Sequence, residues 1–185
     1  MKIWHKIALV YIFILGLNCS TQAQTSMEDK IKASELNMQG IQLLQQKRNE
    51  SAREYFQKAA DTDPSTGEYP NNVGVTYLND GKLELALKYF TKASEVEPSL
   101  PRPFYNLGVV YQALREDEKA ATSYEKAVSL SPNAESYFNL GIVYSRLGNK
   151  TKAIQSYEKF INIAPKEYVG PIKDAKEKIA ALKKG

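Results

Sequence analysis

Apolar residues recur along most of this chain at helical spacing, and the pattern itself repeats. Within residues 104–115 the apolar positions 104, 107, 111 and 114 form one helical stripe. Within residues 118–130, positions 120, 124, 127, 128 and 130 form a second. Arg115, Glu116 and Asp117 lie between them as a polar turn. The equivalent turns carry Asp80-Gly81 and Gly148-Asn149, which suit the C-terminal end of a helix. The pattern predicts antiparallel helix pairs joined by tight turns.

The pairs return in register. Gly40, Gly74, Gly108 and Gly141 are separated by 34, 34 and 33 residues. Twelve residues after each comes Ala52, Ala86, Ala120 or Ala153, and four further on Phe56, Phe90, Tyr124 or Tyr157. Eight beyond that stands Pro64, Pro98, Pro132 or Pro165. Glycine on one helix and alanine on the other let two backbones approach, and the aromatics fill the space around that contact. Proline cannot continue a helix and so ends each second one. A single pair cannot bury its apolar face, so stacked pairs supply the core of a solenoid.

This frame resembles the tetratricopeptide repeat: an aromatic, Leu-Gly, Tyr, Ala, an aromatic, Ala and Pro over 34 residues. Residues Phe104, Leu107, Gly108, Tyr111, Ala120, Tyr124, Ala127 and Pro132 carry it most clearly. The resemblance implies an all-α, right-handed α-solenoid. Its four helix pairs would occupy residues 33–66, 67–100, 101–133 and 134–167. Pro70 takes the place of the large aromatic in the second unit, so its first helix is expected to start late. Phe160 replaces a small residue in the fourth and is expected to meet a terminal helix. That capping helix is predicted within residues 168–185, from Pro171 to about Lys183. Its apolar face is Ile172, Ala175, Ile179 and Leu182, and the rest is charged. Residues 24–32 extend the first helix backwards, with Ser26 and Asp29 as a capping box before Met27.

The N-terminus changes the picture of where the protein acts. Lys2 and Lys6 precede an apolar run over residues 7–17, and Thr21-Gln22-Ala23 offers a small-x-small cleavage site. Residues 1–23 therefore read as a secretory signal, too short for a permanent membrane span. Cys19, the only cysteine, stands directly after the run, where bacterial lipoproteins carry their acylated cysteine. Two routes remain open: lipidation at Cys19, or cleavage after Ala23. Both place the chain outside the cytoplasm, in the periplasm or as a membrane-anchored lipoprotein of a bacterial cell envelope. The layout resembles small envelope lipoproteins of the family that assist outer-membrane or pilus assembly.

Charge and chemistry then exclude several classes. Removing residues 1–23 takes Lys2 and Lys6 from 25 basic residues, leaving 23 against 21 acids, or +2. With no cluster of cations and aromatics, nucleic acid is not an expected partner. The only histidine, His5, leaves with the signal, and no thiol stays free. No imidazole base, thiolate nucleophile or His/Cys metal site is then expected, and no phosphate-cradling loop is present. The acidic pairs Glu95/Glu97 and Glu116/Glu118 read as solvated charges. The expectation is a non-enzymatic chain with no catalytic residues, metal or cofactor.

What the resemblance implies instead is a peptide groove along the first helices. Its contact positions fall at Asn37, Asn71, Tyr105 and Phe138, at Asn72, Asn106 and Asn139, and at Ile41, Val75, Val109 and Ile142. Arg102 occupies a further one. The asparagines suit an extended backbone, and the apolar row with its aromatics invites burial by a partner. Tetratricopeptide clamps for chaperone C-termini need cations where this chain has Asn37 and Asn106. Only Asn72 and Arg102 fit, so that mode is rejected. The expected partner is a protein or peptide, with a homo-oligomer built through the groove or cap as the alternative.

Overall fold

The structure, a computed structural model, describes residues 25–184. The expected signal segment and cleavage site, and Cys19, lie outside the described residues.

Nine α-helices and no strand make up the described residues. They are α1 (Met27–Gln45), α2 (Asn49–Thr62), α3 (Glu68–Asn79), α4 (Leu83–Val96) and α5 (Pro101–Ala113). Then come α6 (Asp117–Leu130), α7 (Ala134–Arg146), α8 (Lys150–Ile163) and α9 (Val169–Lys184). Each packs mainly on its chain neighbours, and α3 also touches α5. This all-α layout is the stacked solenoid that the period predicts.

Local chemistry sets the helix ends. Ser26 and Asp29 cap α1 reciprocally: the Ser26 hydroxyl accepts from Asp29 N at 3.0 Å, and Ser26 N donates to the Asp29 carboxylate at 3.3 Å. Asn133 and Asn149 cap α7 and α8 through their side-chain oxygens. Each first helix closes in the same way. A residue at φ near +60 to +70° sends its N–H back to the helix end, and the next N–H reaches further back. That residue is Gly81 in the second pair and Gly148 in the fourth, but Lys47 (φ 60°) in the first and Arg115 (φ 64°) in the third.

The four in-register glycines sit against the four in-register aromatics. A Cβ on Gly108 would lie 2.6 Å from the Tyr124 ring; on Gly40, Gly74 and Gly141 it would meet Phe56, Phe90 and Tyr157 at 2.4–2.6 Å. All four aromatics are at most 1% exposed. The core is a row of clusters, each bridging one junction. Phe56 packs near Val73, Phe90 near Leu107 and Val110, and Tyr124 near Leu140 and Val143. The last cluster joins Tyr157 and Phe160 to Ala175, Ile172, Ile179 and Leu182 of α9. Phe160 thus meets the terminal helix, whose charged side faces outwards.

Pro70 lies at the third position of α3, which begins at Glu68, one position later in the frame than α5 and α7 begin. Its missing N–H is one of the first four that have no acceptor inside a helix. The aromatic it displaces is supplied by Tyr69, which is 6% exposed and packs on Ala33, Ala59 and Ala60. Gly67, just before the helix, allows a close approach: a Cβ there would sit 2.7 Å from Glu97 Cβ and 2.8 Å from the Ala93 carbonyl. Its N–H donates to the Glu97 carboxylate at 3.1 Å, so Glu97 is a joint between pairs rather than a solvated charge.

Candidate functional site

The first helices α1, α3, α5 and α7 share one face, and two open hollows lie on it around the third pair. One, of about 440 Å³, is lined by Val75, Arg102, Tyr105, Asn106 and Glu135 among others. The next, of about 520 Å³, is lined by Tyr105, Val109, Gln112, Arg115, Asn139 and Arg146 among others. Tyr105 belongs to both, so they form one interrupted groove. Six of the residues expected from the sequence meet there: Val75, Arg102, Tyr105, Asn106, Val109 and Asn139.

The asparagines do more than face the groove. Asn72 Nδ2 donates to Asn37 Oδ1 at 2.9 Å, Asn71 Nδ2 to Asn72 Oδ1 at 3.3 Å, and Asn106 Nδ2 to Asn71 Oδ1 at 2.8 Å. Asn37 Nδ2 in turn donates to Glu68 at 3.3 Å. This ladder ties α1, α3 and α5 side by side. Asn71 is fully buried, and Asn37 and Asn106 are 7% exposed. Their amides are spent largely on neighbouring helices. Asn71 in particular lies under the face and not on it, its oxygen taken by Asn106 of α5. Asn139, half-buried beside Tyr105, stands outside the ladder.

The remaining expected residues sit at the ends. Ile41 is half-buried beside the cluster of Phe56 and Val73. Phe138 meets Tyr157 and Phe160 edge-on at 5.9 and 5.0 Å, and Ile142 packs on the same cluster. Both are therefore partly used in holding the cap.

Burial makes two tyrosines at the groove harder to ionise. Burial pushes the Tyr105 hydroxyl up, the nearby Glu135 charge adds to this, and a bond with Asn139 only partly offsets it. Burial raises Tyr124 strongly as well. The Tyr124 hydroxyl donates to Gln112 Oε1 at 3.0 Å. Arg146, which lines the second hollow, donates from Nη2 to Asp117 at 2.6 Å.

The sequence reading missed a second constellation, on the second-helix side of the first junction. Arg53 lies 4.1 Å over the Tyr77 ring, donates to Thr76 Oγ1 at 2.9 Å and pairs with Asp80. Tyr77 stacks on Tyr89 at 5.4 Å, and the Tyr89 hydroxyl donates to Gln57 at 3.3 Å. These groups satisfy one another and read as a rivet between pairs. The signal was available: a tyrosine in the repeated frame with an arginine 24 residues before it. Among the described residues no group of three His, Cys, Asp or Glu is placed to hold a metal, and no helix is long and apolar enough to cross a membrane.

Three family models match the chain, each described as tetratricopeptide repeat, over residues 37–99, 101–134 and 134–167. No curated protein matches it in sequence. A solved structure of the first such domain of Spaghetti (RPAP3), bound to the HSP90 peptide SRMEEVD, is 25% identical with a TM-score of 0.62. The match covers 64% of this chain and 95% of that one. MamA is similar at 23% identity and a TM-score of 0.66, over 86% of this chain and 88% of that one. A tetratricopeptide repeat protein from Parabacteroides merdae ATCC 43184 reaches 0.69 at 22% identity, covering 82% of this chain and 60% of that one. The last two bear on fold alone. Matched over residues 37–99 and 101–167, over helix pairs whose glycines and aromatics interlock in the repeat's own frame, the chain belongs to the tetratricopeptide repeat family.

Proposed function

We propose that this protein is a non-catalytic interaction scaffold of the bacterial cell envelope that holds an extended segment of a partner protein along its first-helix groove. The observation that carries the reading is the pair of hollows sharing Tyr105. Val75 and Val109 supply apolar floor, and Asn139 supplies an amide outside the internal ladder. The peptide held by the Spaghetti domain supports the same use of the fold. The ladder engages Asn37, Asn71, Asn72 and Asn106, and both hollows lie at the third and fourth pairs, so those pairs carry most of the contact. Export rests on the reading of residues 1–23, with Cys19 or a free N-terminus near Gln24 as the mature start.

In-cell crosslinking tests both parts. A photo-reactive residue at Val109 should give an adduct that the same residue at Lys92, on the exposed side of α4, does not. The adduct should fractionate with the envelope. Identical adducts from both positions, or a cytoplasmic one, would contradict the proposal.

A self-association reading keeps one supporting observation, in neither the groove nor the cap. Met27, Ile31 and Met38 are 75, 56 and 53% exposed on α1. At 100° per residue they align within 40° of one another. A concentration-independent monomer mass in solution would remove that reading.

A further inference from the structure

The two hollows differ in charge. The first sets Arg102 against Glu135. The second has two arginines, Arg115 and Arg146, and no carboxylate in its lining. Asp117 behind the rim pairs with Arg146, while Arg115 is exposed and makes no ion pair among the described residues. Amide groups join them. Gln112 presents its oxygen to the Tyr124 hydroxyl, so its N–H2 is turned to other acceptors, and Asn139 lies across the hollow. The second hollow is thus rich in donors and poor in acceptors, above a floor of Tyr105 and Val109.

The backbone of Arg115 is fixed at the turn, which places the root of its side chain at the edge of the hollow. Its left-handed conformation closes α5, with its N–H on the Gln112 carbonyl at 3.3 Å and the Glu116 N–H on the Tyr111 carbonyl at 2.9 Å. The two equivalent glycines put nothing at this point of the other turns.

We propose that the second hollow receives a carboxylate from the partner: an Asp or Glu side chain flanked by apolar residues in an extended segment. The inference rests on the groove reading and names the class of segment the groove takes. Guanidinium forks match a carboxylate with paired, charge-assisted hydrogen bonds. In an extended chain successive side chains alternate in direction, so an acid can enter the hollow while neighbours rest along Val75 and Tyr105. A nucleic-acid backbone is disfavoured, since it needs a row of cations and the adjoining hollow carries Glu135.

The test uses the mature chain on an array of immobilised random nonapeptides, at low and high salt. Retained peptides should be enriched in Asp and Glu beside apolar residues, and retention should weaken with salt. Arg115→Gln, which leaves the Arg146–Asp117 pair intact, should lower affinity for the best acidic peptide about tenfold. Arg146→Lys keeps the charge but not the fork and should weaken it less. An amide-for-acid version of that peptide should show no loss with Arg115→Gln. Enrichment in Lys or Arg, no charge preference, no retention, or an unchanged affinity in Arg115→Gln would each overturn the inference. Peptides retained without acid preference and lost with Val109→Glu would overturn it while leaving the groove reading intact.

Discussion

At the scale of single residues, the fold depends on where a side chain is absent. Gly108 gives its space to the Tyr124 ring. Glycine to a good helix former gains about 1 kcal/mol in an open helix. Overpacking a full core typically costs about 1–3 kcal/mol, and the bulk of leucine puts this site at the upper end. Gly108→Leu should therefore lower the denaturant midpoint; an unchanged midpoint would show that the contact is misplaced. The opposite holds at the left-handed turn residue Lys47, where a Cβ is strained. Left-handed backbone costs a non-glycine residue about 1–2 kcal/mol. Lys47→Gly should raise stability by about 1 kcal/mol after the entropy it adds to the unfolded chain, read as a higher midpoint with unchanged slope. The glycine frame was legible in the sequence because the contact repeats with the period. Lys47 and Arg115 were not, because a left-handed residue that is not glycine carries no local signature. Only alignment of their turns with Gly81 and Gly148 exposes them.

At the scale of elements, junctions between pairs decide stability. Asp63, 1% exposed after α2, accepts from Ser65 N at 3.1 Å, Ser65 Oγ at 2.6 Å and Thr66 Oγ1 at 2.7 Å. Burial alone would push its carboxyl up, but these bonds and one from Thr25 outweigh it and hold it below its usual value. A depressed carboxyl contributes stability that is present above its unfolded value, near 3.9, and lost as pH falls through the folded value. Stability should thus decline with acid below about pH 4, and Asp63→Asn should flatten that limb while lowering the neutral plateau. An unaltered acid limb in the variant would remove Asp63 from the account. At the other end, α9 covers Phe160 and Tyr157. Removing residues 169–185 should expose that apolar surface, lower the thermal midpoint and cause aggregation. A soluble, equally stable truncated chain would make α9 an appendage. The cap was legible from four apolar positions on one face. The shift of the aromatic from position 70 to Tyr69 was not, since it depends on how Pro70 and Gly67 seat α3 against α4.

At the scale of the whole molecule, a row of junction clusters makes a stack with two unlike ends and one face of first helices. The face was readable from the frame, which placed Val75, Arg102, Tyr105, Asn106, Val109 and Asn139 around the hollows. The frame could not show that Asn71 would turn inwards, or that the asparagines would bond to each other across successive helices. Those are distances between units, and a sequence period fixes only positions within them. With Asn37, Asn71, Asn72 and Asn106 in the ladder, Asn139, Arg102 and Arg115 are the groups left open around the hollows of the third and fourth pairs. The central claim is that a partner segment lies there, and the affinity of the segment captured at Val109 for Val109→Glu tests it most directly. Burying an uncompensated carboxylate in that contact should weaken binding by about 1–3 kcal/mol, roughly five- to 150-fold. Lys92→Glu should bind as the parent does, with circular dichroism confirming that both variants are folded. Parent-like binding by a folded Val109→Glu would contradict the account and move the contact to the exposed stripe of α1 or to the cap.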